Sequence, residues 1–467
     1  MKQHTDIHRA GIDKGRLMLS AVILGAALIL TMGVSRLRAG DWPTYMHDNY
    51  RSGTTTEQLN VPLHEDWSYH TSRRPRPSWS DTPALQDFWN GSYGHKSRVN
   101  VDRTSQAAVV GNRLFFGSSH SDKVICLDSR SGAQYWQFFT GGPVRFAPAV
   151  DSGKVYFGSD DGYVYCLDTT DGSELWKHRA TGSEDLMFAG GRMVSTCPVR
   201  TCVLVEGGVA YWGAGMFNGY QTGLDWYLCA RSADTGTHLW KVTPSRRMLG
   251  YLLSLGSGLY VPAGKLWPYI YNKSTGAYQG SMGGSQGGCY AFITDVSSEV
   301  LGPYWGGSGS YINDFTFGAV YGNFLIVKSG YSYYCTDTNL IKVLRSNHQQ
   351  QWNVGSSYGQ ALILAGNTLF AGGDDGVAAF NTSNGQQIWT GAINGRALGL
   401  AVANGRLYIS TDLGTIYAFG NAESPQAYNR ADFNQNGQVD LPDLMMLMEK
   451  WLDCTNPNDI SCTPYTP

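Results

Sequence analysis

The sequence predicts an all-β protein: an eight-bladed β-propeller, or a seven-bladed one, followed by a small C-terminal calcium-binding loop and helix. Three observations predict it. A repeat of about 40 residues recurs through the chain, which is the period of propellers and related arrays. Each copy reads as short β-branched and aromatic runs broken by Gly- and Asp-rich turns. Most copies end in a tryptophan.

The clearest copies are GNRLFFGSSHSDKVICLDSRSGAQYW (111–136), SGKVYFGSDDGYVYCLDTTDGSELW (152–176) and GNTLFAGGDDGVAAFNTSNGQQIW (366–389). LFFGS, VYFGS and LFAGG are strands. The Asp-Asp-Gly after Ser159 and after Gly373 is a tight turn, because Gly accepts positive φ and Asp can bond its own backbone. VICLD and VYCLD are the next strand. A second turn carries Gly132, Gly172, Gly236, Gly276 or Gly385, and a last short strand holds the Trp.

The strand-ending tryptophans are Trp67, Trp136, Trp176, Trp240, Trp352 and Trp389. From Trp136 onward they are separated by 40, 64, 112 and 37 residues. The interval of 112 holds two blades without Trp, one at 258–280 and a degenerate one near 288–316. The interval of 64 holds a blade and an insertion around 177–200. The unit at 405–421 stops before its Trp strand, whereas LHEDWSY (63–69) is a Trp strand with no blade before it. Pairing the two closes the ring and removes its exposed edges. The count is eight, or seven if 281–316 is a long insertion.

These units resemble the pyrroloquinoline-quinone-like propeller repeat. Their A/L-x-D-x-x-[ST]-G-x-x-x-W pattern is similar to the tryptophan-docking motif of quinoprotein alcohol dehydrogenases, and the same repeat builds the propeller lipoprotein of the outer-membrane β-barrel assembly machine. DWPTYMHDNYRSGTTTEQL (41–59) resembles the start of secreted quinoprotein-like propellers of planctomycete type. The resemblance covers 63–421 and implies the fold. It does not fix an activity, because the repeat serves enzymes and scaffolds alike.

The organisation read from the sequence is 1–40 as signal peptide or membrane anchor, 41–421 as propeller, and 422–467 as linker and metal module. Arg9, Lys14 and Arg16 precede an apolar run from Leu17 to Val34. Its 18 residues suit a cleaved signal or a short anchor; membrane contact through 17–34 follows only if it is retained. Either way the propeller is expected outside the cytoplasm. Net charge is −2 and charged residues make up 15%, so no global field favours nucleic acid as a partner.

Cys126, Cys166, Cys229 and Cys335 are read as small buried residues at equivalent strand positions. Cys197 with Cys202, and Cys454 with Cys462, are spaced to allow bridges. No C-x-x-C-H haem motif and no adjacent cysteines occur, although the quinoprotein dehydrogenases carry an adjacent-cysteine disulfide over their quinone.

After Gly420 the composition changes. In ADFNQNGQVDLPDLMMLMEKWLDC (431–454), Asp432, Asn434, Asn436, Asp440 and Asp443 take loop positions 1, 3, 5, 9 and 12, Gly437 takes the sharp turn, and Gln438 offers its carbonyl. That oxygen spacing suits Ca²⁺. The segment resembles a type I dockerin repeat. Dockerins carry two repeats and this chain carries one, a departure that puts cohesin binding in doubt and leaves the metal loop intact.

No catalytic residue is nominated: the histidines show no metal spacing, and no acidic and amide set for a quinone's Ca²⁺ is identifiable. PQQ is a possible cofactor without site residues to support it. Arg103, Arg145, Arg200 and Arg396 each precede the innermost strand of a unit. In consecutive blades they would form an arc at one channel mouth, with no acid at the same position, and would bind an anion bidentately. The expected function is a non-catalytic binding or scaffold propeller whose face takes an envelope protein, an acidic small molecule or a saccharide. The alternatives are a quinone-dependent oxidoreductase with a divergent site and an envelope assembly scaffold.

Overall fold

A computed structural model describes residues 40–78; 102–281 except 190, 216–225, 246 and 264–265; 292–293 and 300–301; 325–421 except 336, 337 and 348; and 441, 444 and 445. Residues 1–39, the six residues Asp432, Asn434, Asn436, Gln438, Asp440 and Asp443 expected to hold calcium, and Cys454 and Cys462 lie outside the described residues.

The repeat folds as read. In the first blade Ala107–Val110, Arg113–Ser118, Lys123–Asp128 and Gln134–Phe139 form an antiparallel meander from innermost to outermost strand. Inner strands are apolar on both faces because neighbouring blades cover both; the outermost strand alternates, with Trp136 buried between exposed Tyr135 and Gln137. Further four-stranded blades occupy 149–179, 204–242, 253–281 and 325–355. The sixth and seventh share one long strand, Gln387–Ala403, which ends one blade and begins the next. Between 281 and 325 the described residues form only a two-stranded pair, Phe292–Ile293 with Val300–Leu301.

The ring closes through the N-terminal strand. His64–His70 pairs antiparallel with Thr415–Gly420 as the outermost strand of the seventh blade, placing Trp67 opposite Ala418. Each docking Trp then reaches the next blade. Trp67, Trp136, Trp176, Trp240 and Trp352 donate from Nε1 to the carbonyls of Ser129, Thr169, Ala233, Lys273 and Thr382, at 2.8–3.2 Å. The turn glycine beneath the indole is required: Gly132 has φ +73°, and a Cβ there would lie 2.7 Å from the Trp67 ring.

The register corrects the cysteine reading. Cys126 and Cys166 face Trp136 and Trp176, but in the third blade Ala230, not Cys229, faces Trp240. Cys335 lies in a second strand, Tyr331–Cys335, rather than a third. A one-residue slip sends a side chain to the other face, so motif alignment alone could not fix this. Cys197 and Cys202 are both buried and do not bridge each other.

The segment 40–59 runs round the inner wall. Gly40 O accepts from Asn404 N, Trp42 exchanges backbone bonds with Val109, and Pro43 O accepts from Val150 N. Asn49 bonds Val205 and Ser254. Gly53, at φ +64°, leaves room for Met46 and Ile326. Thr54–Thr55 pairs parallel with Leu364–Ala365. All seven blades among the described residues are thereby touched on or next to their innermost strands. Trp42, Tyr45, Arg51 and Leu59 are buried, so the segment packs against the inner strands at this end. Arg51 is its anchor. Nε donates to Leu252 O, Nη1 to Tyr45 O and Asp48 O, and Nη2 to Cys202 Sγ.

Candidate functional site

The opposite face carries the connectors that enter each innermost strand, together with the turns between second and third strands. All four sequence-nominated arginines lie on these connectors. Two turns bring Asp160 and Asp412, and a connector brings Asp102, to meet Arg145, Arg200 and Arg396, so these three do not form an arc left open for an anion. Those acids sit at other positions of the repeat, so comparing the connectors alone hides them.

Arg145 is the centre. Its Nε lies 2.7 Å from Asp160 Oδ2, and its Nη1 lies 2.9 Å from Asp102 Oδ2. The three side chains are 6%, 0% and 3% exposed. Burial alone would lower the Arg145 pKa; the Asp160 and Asp102 carboxylates outweigh it and leave it raised. Arg200 Nη2 shares Asp160 Oδ2 at 3.5 Å. There burial dominates, and Arg145 adds to it, so the Arg200 pKa is lowered despite Asp160. Two cations and two carboxylates thus form a balanced, buried quartet. Asp160 comes from the Asp-Asp-Gly turn, and its neighbour Asp161 accepts from Gly141 N, Tyr163 N and Tyr165 Oη, which fixes the turn.

Arg396 stands apart from the quartet. Its Nε pairs with Asp412 Oδ2 at 2.9 Å and its side chain is 41% exposed. Arg103 is half-buried beside Thr104, whose hydroxyl donates to Thr411 O of the last blade. The structure therefore brings Arg145 and Arg200 together on shared acid and gives Arg396 its own partner.

A strap missed by sequence reading crosses this face. Thr71 bonds Gly414 O, Arg76 N donates to Ser119 Oγ, Arg76 O accepts from Arg145 Nη1, and Ser78 N donates to Asp102 Oδ2. Residues 71–78 thus join the seventh, first and second blades over the quartet. The prolines of Arg73-Arg74-Pro75-Arg76-Pro77 mark an extended stretch, but nothing in it names its partners.

The fold has known counterparts. A quinohemoprotein alcohol dehydrogenase from Comamonas testosteroni superposes with a TM-score of 0.58 over 86% of this chain and 85% of that one, at 14% identity. The fold is a β-propeller. Residues 79–195 and 337–436 match the family described as outer membrane protein assembly factor BamB. A quinoprotein ethanol dehydrogenase of Pseudomonas aeruginosa is 24% identical over 232 residues, 47% of this chain and 34% of the relative. A 1-butanol dehydrogenase (quinone) of Thauera butanivorans is 23% identical over 285 residues, 57% and 42%. The chain thus spans well under half the length of these relatives.

A quinone with its metal ion needs a donor set and cations for its carboxylates. Among the described residues no group of three or more His, Cys, Asp or Glu side chains is placed to hold a metal. Arg145 and Arg200 already face Asp102 and Asp160. Among the described residues no helix is long and apolar enough to cross a membrane.

Proposed function

We propose that the protein is an extracytoplasmic binding or scaffold propeller and not a quinone-dependent oxidoreductase. The observation that carries this reading is the Arg145–Asp160–Asp102–Arg200 quartet. Arg145 and Arg200 are spent on internal pairing, and Arg145 also holds the 71–78 strap, while the 40–59 segment bonds the inner strands at their other end. Both arrangements favour a rigid display surface over a cofactor chamber. The assembly-factor description matched by 79–195 and 337–436 favours an envelope scaffold as the second reading.

We further propose that Asp432, Asn434, Asn436, Gln438, Asp440 and Asp443 hold one Ca²⁺; the spacing of oxygen donors supports it. The oxidoreductase alternative is tested by incubating the full-length protein with PQQ and Ca²⁺ and following dye reduction with ethanol and 1-butanol. The proposal expects no turnover above a protein-free control. Quinone-dependent turnover would overturn it.

A further inference from the structure

Gly40 sits at the seam where the ring closes. Its carbonyl accepts from Asn404 N at 3.0 Å, on the Asn404-Gly405 turn of the seventh blade. Two residues on, Trp42 exchanges backbone bonds with Val109 of the first blade. Asn404 Nδ2 donates to Gly111 O and Asp41 Oδ1 accepts from Gly111 N, so the inner hairpins of the two blades are tied together at this point.

Glu57 completes the site. Its Oε1 accepts from Gly405 N. Its Oε2 is buried and, among the described residues, has no hydrogen-bond partner. A buried carboxylate oxygen without a donor is costly, and such atoms are rarely left so. Arg406, the cation of the same hairpin, is already paired with Asp66. Gly40 faces the oxygen instead: a Cβ built there would lie 3.3 Å from Glu57 Oε2 and 3.7 Å from Asn404 Oδ1.

With chain before it, Gly40 N is a neutral amide with one hydrogen, and it makes no bond to Oε2. A terminal Gly40 differs in two ways. Its nitrogen is an ammonium with three donors, and no preceding residue blocks rotation about its Cα–C bond. About a third of a turn carries the nitrogen to the place of that Cβ, because both are tetrahedral substituents of one Cα. Gly40 O keeps its bond to Asn404 N throughout. The ammonium then stands beside Glu57 Oε2 as a charge-assisted pair, with Asn404 Oδ1 as a second acceptor.

The sequence supplies a cut at that bond. Arg9, Lys14 and Arg16 lead into the apolar run from Leu17 to Val34, and Ala39 stands immediately before Gly40. A small residue there is what a secretory signal needs at its cleavage point.

We propose that the chain is hydrolysed between Ala39 and Gly40 on export, and that the new α-ammonium seats on Glu57 and pins the mature N-terminus at the seam between the first and seventh blades. Water adds across the peptide bond. Its oxygen goes to the Ala39 carbonyl carbon, which leaves as a carboxylate, and its two hydrogens go to Gly40 N, which becomes the ammonium. The catalyst is a signal peptidase of the exporting cell. The inference rests on the extracytoplasmic reading and goes beyond it, because it removes 17–34 as an anchor.

The test expresses the full chain, with residues 1–39, in an exporting bacterium. Protein recovered from the envelope or the medium is read by N-terminal sequencing and intact mass. The expected start is Gly40-Asp41-Trp42. The seat is read on the same material by isotopic acylation of the α-amine at about pH 7, followed by peptide mapping. Glu57→Gln keeps an acceptor for Gly405 N and loses the charge. Its Gly40 amine should acylate about tenfold faster than that of the wild type, since one pKa unit changes the free amine tenfold, while lysine labelling stays equal in the two proteins. The start residue is read on the wild type and needs no variant. An exported protein that keeps residues 1–39, or begins anywhere other than Gly40, overturns the inference and leaves the extracytoplasmic reading standing. Equal acylation rates at Gly40 do the same. A chain held uncleaved in the cytoplasm overturns both.

Discussion

Arg145 Nε lies 2.7 Å from Asp160 Oδ2, and neither side chain is more than 6% exposed. The pair locks the connector entering the second blade to that blade's own turn, and through Asp102 and the Arg76 carbonyl it holds the strap above. Removing one partner leaves a buried charge without its counter-ion. Asp160→Asn or Arg145→Met should each cost about 3–5 kcal/mol. The double variant Arg145→Met with Asp160→Leu should lose clearly less than the sum. Urea unfolding of the three proteins checks this, and additive losses would show that the charges do not act as a unit.

Ring closure makes a separate prediction. Trp67 is 8% exposed and lies over Gly132 of the first blade. Trp67→Ala should cost about 3–5 kcal/mol. Gly132→Ala should also destabilise, because it strains a φ of +73° and drives a Cβ into the indole. Melting curves of both variants are the measurement, and an unchanged curve for either contradicts closure through this strand.

Much of this was legible in the sequence. The Trp and Gly of each copy give strand order, docking partner and closure, because one contact recurs at a fixed offset. The quartet was half legible. Position before an innermost strand selected Arg145 and Arg200, yet their acids come from a turn and from the connector of another blade, at offsets the repeat does not share. The path of the 40–59 segment along the inner strands was not legible. Its residues bond inner strands one at a time, through backbone groups that leave no periodic pattern.

That segment yields a third expectation. Arg51 supplies the donors for the carbonyls of Leu252, Tyr45 and Asp48. Arg51→Met leaves those acceptors without this donor, and each buried one should cost about 1–3 kcal/mol. Hydrogen exchange should rise first at the innermost strands the segment bonds, Val150 and Leu364 among them. Exchange that rises only in the outermost strands would contradict the role given to Arg51.

The pH dependence follows from His120. Burial first, then Arg73, Arg192 and Arg76, hold its pKa below the usual 6.5. The unfolded chain therefore takes up the proton more readily than the folded one. The stability is full above about pH 6.5 and is lost as pH falls toward the folded value. His178 acts in the same direction, through burial and Arg231. His120→Gln should reduce the drop in melting temperature between about pH 7 and pH 5. An equal or steeper drop in that variant would contradict the assignment.

Calcium is tested by calorimetry on the full chain. Asp432→Ala with Asp440→Ala should abolish one binding event and leave the propeller's melting transition in place, since a hard cation in such a loop depends on its carboxylates. Equal heats for wild type and variant would place calcium elsewhere.

The most direct measurement of the central claim is equilibrium binding of PQQ, with Ca²⁺ present, to the wild type and to a folded Arg145→Met, Asp160→Leu protein. If the quartet is a self-neutralised structural cluster on a non-catalytic propeller, neither protein should show saturable binding. Stoichiometric binding by the wild type that the double variant loses would make the quartet a cofactor site and contradict the account.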